Sequence, residues 1–454
     1  MFFKSSATAN CIAGGMQYGW TAPVIPILES EDTPVPIQKS DIAWIENSYT
    51  LGAIAGVPFT IYSLNKFGRK NSILIAAAQN LTTWILMAFA TSVEILYVAR
   101  IIQGFAGNVA FVSAPMYIAE IADKKIRGFL GAWVYLMMLI GVVIVYSVAP
   151  FVSIAISSLV GAIFVIIQLV TFPFMPDSPY YLLLKNKVDA AKKSLERLRS
   201  SKDVEAEIKE IADAIERQRA ERGKFTDLFT VDSNRKAILI MTVLNGTQHF
   251  SSISVMVMNL HSILDDAASM VSSSTAAIIF SAIMLLTATI SSSMIDRMGR
   301  RMILSISSFI TGISLTVLAV YFSVKNSGID VSSYSWVPVV AVMVYAGAFK
   351  YGLGIVPIVM TGELFPTSVK ALGMTVADFM YALFALISVY LYQFLINAYG
   401  MHVPFIIFAT ACLLATVFII YYVPETKGKS LEEIQLMLKG KMYSHNESKL
   451  SVNA

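Results

Sequence analysis

Apolar runs of about 20 residues, separated by short polar breaks, recur along the whole chain, and each is long enough to carry an α-helix through a bilayer core. In order they cover approximately 6–28, 43–64, 72–92, 95–120, 128–150, 154–175, 236–263, 270–295, 302–324, 336–362, 371–397 and 402–423, twelve in all. With 454 residues, 56% of them hydrophobic and 14% charged, the chain has too few polar side chains to wrap a soluble core of this size. An all-α, polytopic membrane protein is the expected class. The first run follows only Lys4, contains Pro23 and Pro26 and has no convincing small-residue cleavage site, so it reads as a retained helix rather than a removable signal. Cys11 and Cys412 both fall in apolar runs and read as small core residues, too few for a disulfide framework or a Cys-rich metal site.

Orientation follows from Lys and Arg, which concentrate in cytosolic loops. Alternate loops hold Lys66, Arg69 and Lys70; Lys124, Lys125 and Arg127; the basic stretch from Lys185 to Lys236; Arg297, Arg300 and Arg301; and Lys370. The other loops hold only Lys39 and Lys325. Both termini and the long central loop are therefore expected in the cytosol, with the plasma membrane the expected location and the lipid bilayer a partner. The net charge of +4 follows from this topology, and no basic stripe with interleaved aromatics argues for nucleic acid.

Charged turns then reveal an internal repeat. Glu120 and Arg127 stand seven residues apart in PMYIAEIADKKIRGFLG, and Glu363 and Lys370 are again seven apart in GELFPTSVKALG. NKFGRK at 65–70 returns as DRMGRR at 296–301, and PDSP at 176–179 has its counterpart in PETKG at 424–428. The three offsets are 231, 243 and 248, so three unrelated motifs recur in one order at nearly one spacing. Two pseudo-symmetric six-helix bundles explain this: residues 1–175 and 235–423, joined by a cytosolic helical linker at 176–234 and followed by a cytosolic tail at 424–454. In the linker, Glu205–Lys209 and Asp213–Arg217 have the acid-then-base spacing that supports short helices.

These segments, with ARIIQGFAG and VPETKGKSLEEI, make the chain resemble the sugar porters of the major facilitator superfamily over nearly its whole length. In the first span, YGWTAPVIP is most similar to insect trehalose transporters and related facilitative hexose carriers. The resemblance implies a rocker-switch carrier whose two halves enclose a mid-membrane site for one sugar or polyol, working as a monomer. It also implies a cytosolic gate of Arg69, Glu120, Arg127 and Asp177 in one half and Arg300, Glu363, Lys370 and Glu425 in the other. Partly exposed ion pairs contribute only ~0–1 kcal/mol each, yet several together can bias a two-state equilibrium of a few kcal/mol. The bland reading is that they only fix topology.

A sugar is gripped by a few convergent neutral polar groups in a mostly apolar cavity. By resemblance the main set lies on span seven, GTQHFSSISVMVMN: Gln248 matches the family's first binding glutamine, His249 replaces the second, Ser252 the usual glycine, Ser254 an asparagine, and Met258 and Asn259 a tyrosine pair. Ile358 stands in for a tryptophan on span ten, Tyr135 for a glutamine on span five and Tyr381 for an asparagine on span eleven. His249 is read equally as an interior hydrogen-bonded histidine or a substrate contact. Met256 and Met258 read as lipid-facing or packing residues.

Proton-driven members carry a span-one carboxylate facing the span-four arginine, here Arg100, but Thr21 occupies that position and no acid precedes Glu29. The chain is therefore expected to be facilitative. Intramembrane Lys350 and Asp378 are read as a mutual pair, with Lys350 drawing an anionic solute or snorkelling outward as alternatives. A carrier of a non-sugar solute and a non-transporting nutrient sensor are the rival functions. No catalytic motif, metal-ligand cluster or cofactor signature occurs, so no enzyme, metal or cofactor is expected.

Overall fold

The computed structural model describes residues 2–31, 33–122, 127–199, 203–220, 223–265, 272–366, 368–429 and 431–439. Lys124 and Lys125 lie outside them, as does the side chain of Arg127. Among the described residues every regular element is helical. Among the described residues eight helical segments are long and apolar enough to cross a bilayer, span ten being counted across its break. The remaining crossings, the first, second, third and seventh, are broken or carry more polar residues.

Span one is split into α1 (Phe2–Gly19) and α2 (Thr21–Leu28). Pro23 supplies no amide to the carbonyl four residues back, Gly19, and the helix parts at Trp20. α3 (Lys39–Lys66), α4 (Gly68–Ala88), α5 (Val93–Ile121), α6 (Arg127–Val148) and α7 (Ile154–Thr171) complete the first bundle. Close helix approach rests on small residues: a side chain at Gly15 would overlap the Met138 carbonyl, and one at Gly141 the Ile12 carbonyl, so α1 and α6 meet through reciprocal glycines. On α7, Leu159, Ile163, Ile166 and Val170 form an outward stripe, 46% to 62% exposed, that would be an aggregation surface in water and suits lipid.

The second bundle repeats the plan with α12 (Asp232–Phe250) and α13 (Ile253–Asp265) as span seven, then α14 (Ser273–Met298), α15 (Arg300–Asn326), α16 (Trp336–Tyr351) and α17 (Val356–Leu364) as span ten, α18 (Lys370–Tyr399) and α19 (His402–Tyr422). The matching turns share one device: Gly68 at φ +83° and Gly299 at φ +98° occupy the left-handed region that only glycine enters cheaply. A Cβ at Gly68 would strike the Tyr181 ring, and one at Gly299 the Glu425 carboxylate.

Spans seven and ten, each one continuous apolar run in the sequence, are broken. Span seven parts at Ser251 and Ser252, and Ser252 holds φ +75°. A glycine is the unstrained choice there, which explains why its replacement by serine stands out in the sequence. Span ten opens between Gly352 and Ile355, where Ser307 Oγ accepts from Leu353 N at 2.8 Å and donates to Ala348 O at 2.7 Å.

Between the bundles run α8 (Pro179–Leu184), α9 (Val188–Arg199), α10 (Glu205–Ala220) and α11 (Asp227–Thr230), and α20 (Leu431–Leu438) follows the last span. The expected side-chain pairs within the linker give way to other contacts, two of them interhelical. Glu205 pairs with Lys192 rather than Lys209, Arg199 binds Glu207 at 2.7 Å, and Arg217 turns to the Asp213 carbonyl. Arg199 also donates to Ile121 O at the end of α5, while Gly223 N donates to Ser368 O, so the segment touches both bundles on the face carrying the basic turns.

Candidate substrate cavity between the two bundles

At that basic face the repeated motifs converge. Arg69 Nη2 lies 2.7 Å from Glu120 Oε1, and the other Glu120 oxygen accepts from the Ser178 hydroxyl. Arg300 Nη2 lies 3.0 Å from Glu363 Oε1, and the other Glu363 oxygen accepts from the Thr426 hydroxyl. Each motif pair thus contributes one member of an arginine–glutamate–hydroxyl triad, and the triad is built twice. Ser178 and Thr426 were not foreseen, although each directly follows the acid singled out in PDSP and PETKG. Those acids do other work. The Glu425 carboxylate accepts from the backbone N–H groups of Arg300 and Arg301 at 2.9 and 3.1 Å, where the positive end of α15 attracts an anion. Burial pushes the Asp177 carboxyl above its usual range, opposed by the Lys70 and Lys187 charges. Lys370 is pushed below its usual range by burial, opposed by Glu363, whose bonded partner is Arg300. Each triad ties one bundle to the segment that directly follows it, so neither pins the two bundles to each other here.

The bundles meet instead toward the opposite face. Gln393 Nε2 on α18 donates to Glu46 Oε2 on α3 at 2.8 Å and to Asn259 Oδ1 on α13 at 3.1 Å. Tyr146 Oη on α6 donates to Val257 O on α13 at 2.6 Å. Glu46, fully buried, was missed in the sequence; an acid inside an apolar run was the available signal.

Between this closure and the basic face lies a cavity of about 240 Å³. From the first bundle, Gly14 and Tyr18 on α1, Tyr49 on α3, Asn108 on α5 and Met138 on α6 line it; from the second, Asn245, Gln248 and His249 on α12, Ser254 and Met258 on α13, Ile358 on α17 and Asp378 and Tyr381 on α18. Asn245, Gln248 and His249 share one face of α12 by their spacing of three and four. Gln248 Nε2 donates to Leu353 O in the gap of span ten at 2.6 Å, which fixes the amide and leaves Oε1 without a partner among the described residues. His249 Nδ1 meets Ser254 Oγ at 3.0 Å, Ser254 meets Tyr18 Oη at 3.2 Å, and the His249 ring stands edge-on to Tyr381 with centroids 4.3 Å apart. Among the described residues His249 Nε2 has no partner.

Other sequence candidates stand off the wall. Asn259 belongs to the opposite-face closure, and Tyr135 accepts a hydrogen bond from Lys350 Nζ, which also lies 5.0 Å from the Tyr135 ring centroid. Lys350 therefore bridges α16 to α6 and neither pairs with Asp378 nor snorkels. Met256 and Met258 are buried, not lipid-facing, and Met258 reaches the cavity. Arg100 Nη1 donates to Gln17 O at 2.7 Å and to Gln103 Oε1 at 3.1 Å, with its guanidinium carbon 4.6 Å from the Tyr49 ring centroid.

Residues 15–438 match the family described as "Sugar (and other) transporter". The chain is 31% identical over 437 residues to the facilitated trehalose transporter Tret1 of Polypedilum vanderplanki, covering 94% of this chain and 86% of that protein. It is 30% identical over 441 residues to Tret1 of Aedes aegypti, covering 96% of this chain but only 55% of that longer protein. Among solved structures, the inward open conformation of the xylose transporter XylE from E. coli superposes with a TM-score of 0.78 at 22% identity, covering 96% of this chain and all of that one.

Proposed function

The chain belongs to the sugar transporter family and has the major facilitator fold, and from that premise we propose that it is a facilitative uniporter of a hexose or trehalose-like sugar, working by alternating access. The observation that carries the reading is the cavity between two bundles, with the Gln248 carboxamide oxygen and His249 Nε2 buried on its wall and free of protein partners. Such groups exchange hydrogen bonds with sugar hydroxyls without a charge. Ser254, Tyr381 and Ile358 complete the grip, with Tyr381 offering a ring face.

The distribution of Lys and Arg supports a cytosolic basic face and cytosolic termini, so that the cavity would face inward from what we take to be the plasma membrane. Residues 1–175 and 235–423 would rock as two units about the 176–234 linker in a monomer, with the 424–454 tail cytosolic. The triads of Arg69, Glu120 and Ser178 and of Arg300, Glu363 and Thr426 would keep each bundle rigid while the halves part, with Asp177, Lys370 and Glu425 beside them in the chain's charged turns. Glu46, Gln393 and Asn259 hold the outer side shut in this state. Arg100 Nη1 bonds a carbonyl and an amide rather than a carboxylate of span one, which supports uniport over proton coupling.

Reconstituted in liposomes, the protein is expected to equilibrate labelled glucose or trehalose down its gradient with saturation, at the same rate with and without an imposed pH gradient. Accumulation driven by the pH gradient would refute uniport, and the absence of any sugar flux would refute the assignment.

A further inference from the structure

Among the described residues Asp378 is the one charged residue on the cavity wall, and the hydroxyl-binding scheme above leaves it without a role. It stands well inside α18, and its side chain is exposed where it lines the cavity. Met374, Tyr381, Ala382 and Ala385 line the cavity too, at the i−4, i+3, i+4 and i+7 spacings that one helix face requires, so this aspartate is aimed inward by the helix itself.

The intramembrane cations Arg100 and Lys350 are committed elsewhere, Arg100 to Gln17 and Gln103 and Lys350 to Tyr135. No hydrogen bond or ion pair to Asp378 occurs among the described residues. Asn245 Nδ2 donates to Ala377 O at 2.8 Å, which clamps this turn of α18 against the polar face of α12. There Gln248, 3% exposed, and His249, 1% exposed, each present an unpartnered polar atom. A lone carboxylate inside a membrane-embedded cavity is costly without a counter-charge, and a neutral sugar supplies none.

We propose that the preferred cargo is a sugar bearing a protonated amine, its ammonium received by Asp378 while Gln248 and His249 bond its hydroxyls. The charged contact is the strong one, and the neighbouring Tyr381 ring offers a cation–π face. This inference rests on the sugar-carrier reading and narrows its substrate class.

The test uses the full-length protein in liposomes with labelled glucosamine, N-acetylglucosamine, glucose and trehalose. Acetylation keeps the nitrogen and removes the charge. Glucosamine is expected to half-saturate at a concentration at least about ten-fold below that of N-acetylglucosamine. It should also accumulate toward ~50-fold under a 100 mV interior-negative potassium potential, the equilibrium for one carried charge. Asp378→Asn should lower the preference for glucosamine over N-acetylglucosamine about ten-fold or more, and Asp378→Glu should retain it. Equal use of the two sugars by the unaltered protein, or an unchanged ratio in Asp378→Asn, overturns the inference. If Asp378→Asn does not assemble, the ratio and the potential response of the unaltered protein decide. Should glucose or trehalose move while glucosamine gains nothing, the sugar reading stands and the amine falls; if none moves, both fall.

Discussion

Replacing Gln393 by leucine removes one donor that serves two acceptors across the outer closure. The bond to the Glu46 carboxylate, at 2.8 Å, joins the bundles directly, and the bond to Asn259, at 3.1 Å, steadies the same amide from α13. A hydrogen bond to a charged group contributes ~1.5–3 kcal/mol and a neutral one ~0.5–1.5 kcal/mol, so the closed outer face should lose ~3 kcal/mol. The loss is specific to this state, because Glu46 and Asn259 regain water when the outer face opens. Carrier states commonly lie within a few kcal/mol of each other, so a shift of ~3 kcal/mol, roughly 100-fold in the equilibrium constant, is enough to invert the population. The reporter is Met374→Cys, 39% exposed on the cavity wall, in a background lacking Cys11 and Cys412. In inside-out vesicles, labelling by an impermeant maleimide should slow in Gln393→Leu in proportion to the lost inward-facing population. Glu46→Gln, which keeps a hydrogen bond and loses the charge, should give an intermediate rate. Labelling as fast as in the parent, or faster, would refute the claim that this contact holds the outer face shut.

Four further outcomes are expected. Ser252→Gly relieves a left-handed serine at φ +75°, a gain of ~1 kcal/mol that should raise the unfolding temperature in detergent by ~1–3 °C; a lower unfolding temperature would show that the serine hydroxyl matters more than the backbone strain. Glu120→Gln leaves the Arg69 guanidinium, 9% exposed, beside a neutral amide, and Glu363→Gln does the same to Arg300; each should cost ~1–3 kcal/mol, read as thermal destabilisation that Ser178→Ala and Thr426→Ala reproduce in weaker form. Gln248→Ala should raise the half-saturation constant for sugar ~2–10-fold through one lost hydrogen bond, and an unchanged constant would remove Gln248 from the site. Lys350→Met and Tyr135→Phe, tested singly and together for transport rate, should show non-additive effects because the two side chains form one contact between α16 and α6; strict additivity would refute a functional bridge.

The periodic spacing of apolar runs contains the number of the crossings, because a bilayer core offers no partner for unpaired backbone groups and favours helix along each run, with breaks only where neighbouring side chains take up the freed groups. The duplication was equally legible, since three charged motifs recur in order and each occupies the same corner of its bundle. Membership of the family follows from those same segments. The resemblance to the family's span-seven binding set marked Gln248, His249 and Ser254 as candidates, and they line the cavity together.

Which charge meets which was decided only by the fold. Glu120 and Glu363 each lie seven residues before a base in the chain, yet bond to Arg69 and Arg300 on other helices, because a turn that reverses direction brings helix ends together irrespective of their separation in sequence. Lys350 and Asp378 looked like partners by charge, but one is held by Tyr135 and the other faces the cavity. Glu46 and Gln393 are 347 residues apart and carry no pattern that links them. Helix periodicity determines the face on which a side chain lies; only the packing of one bundle against the other determines whether that face meets lipid, protein or cavity.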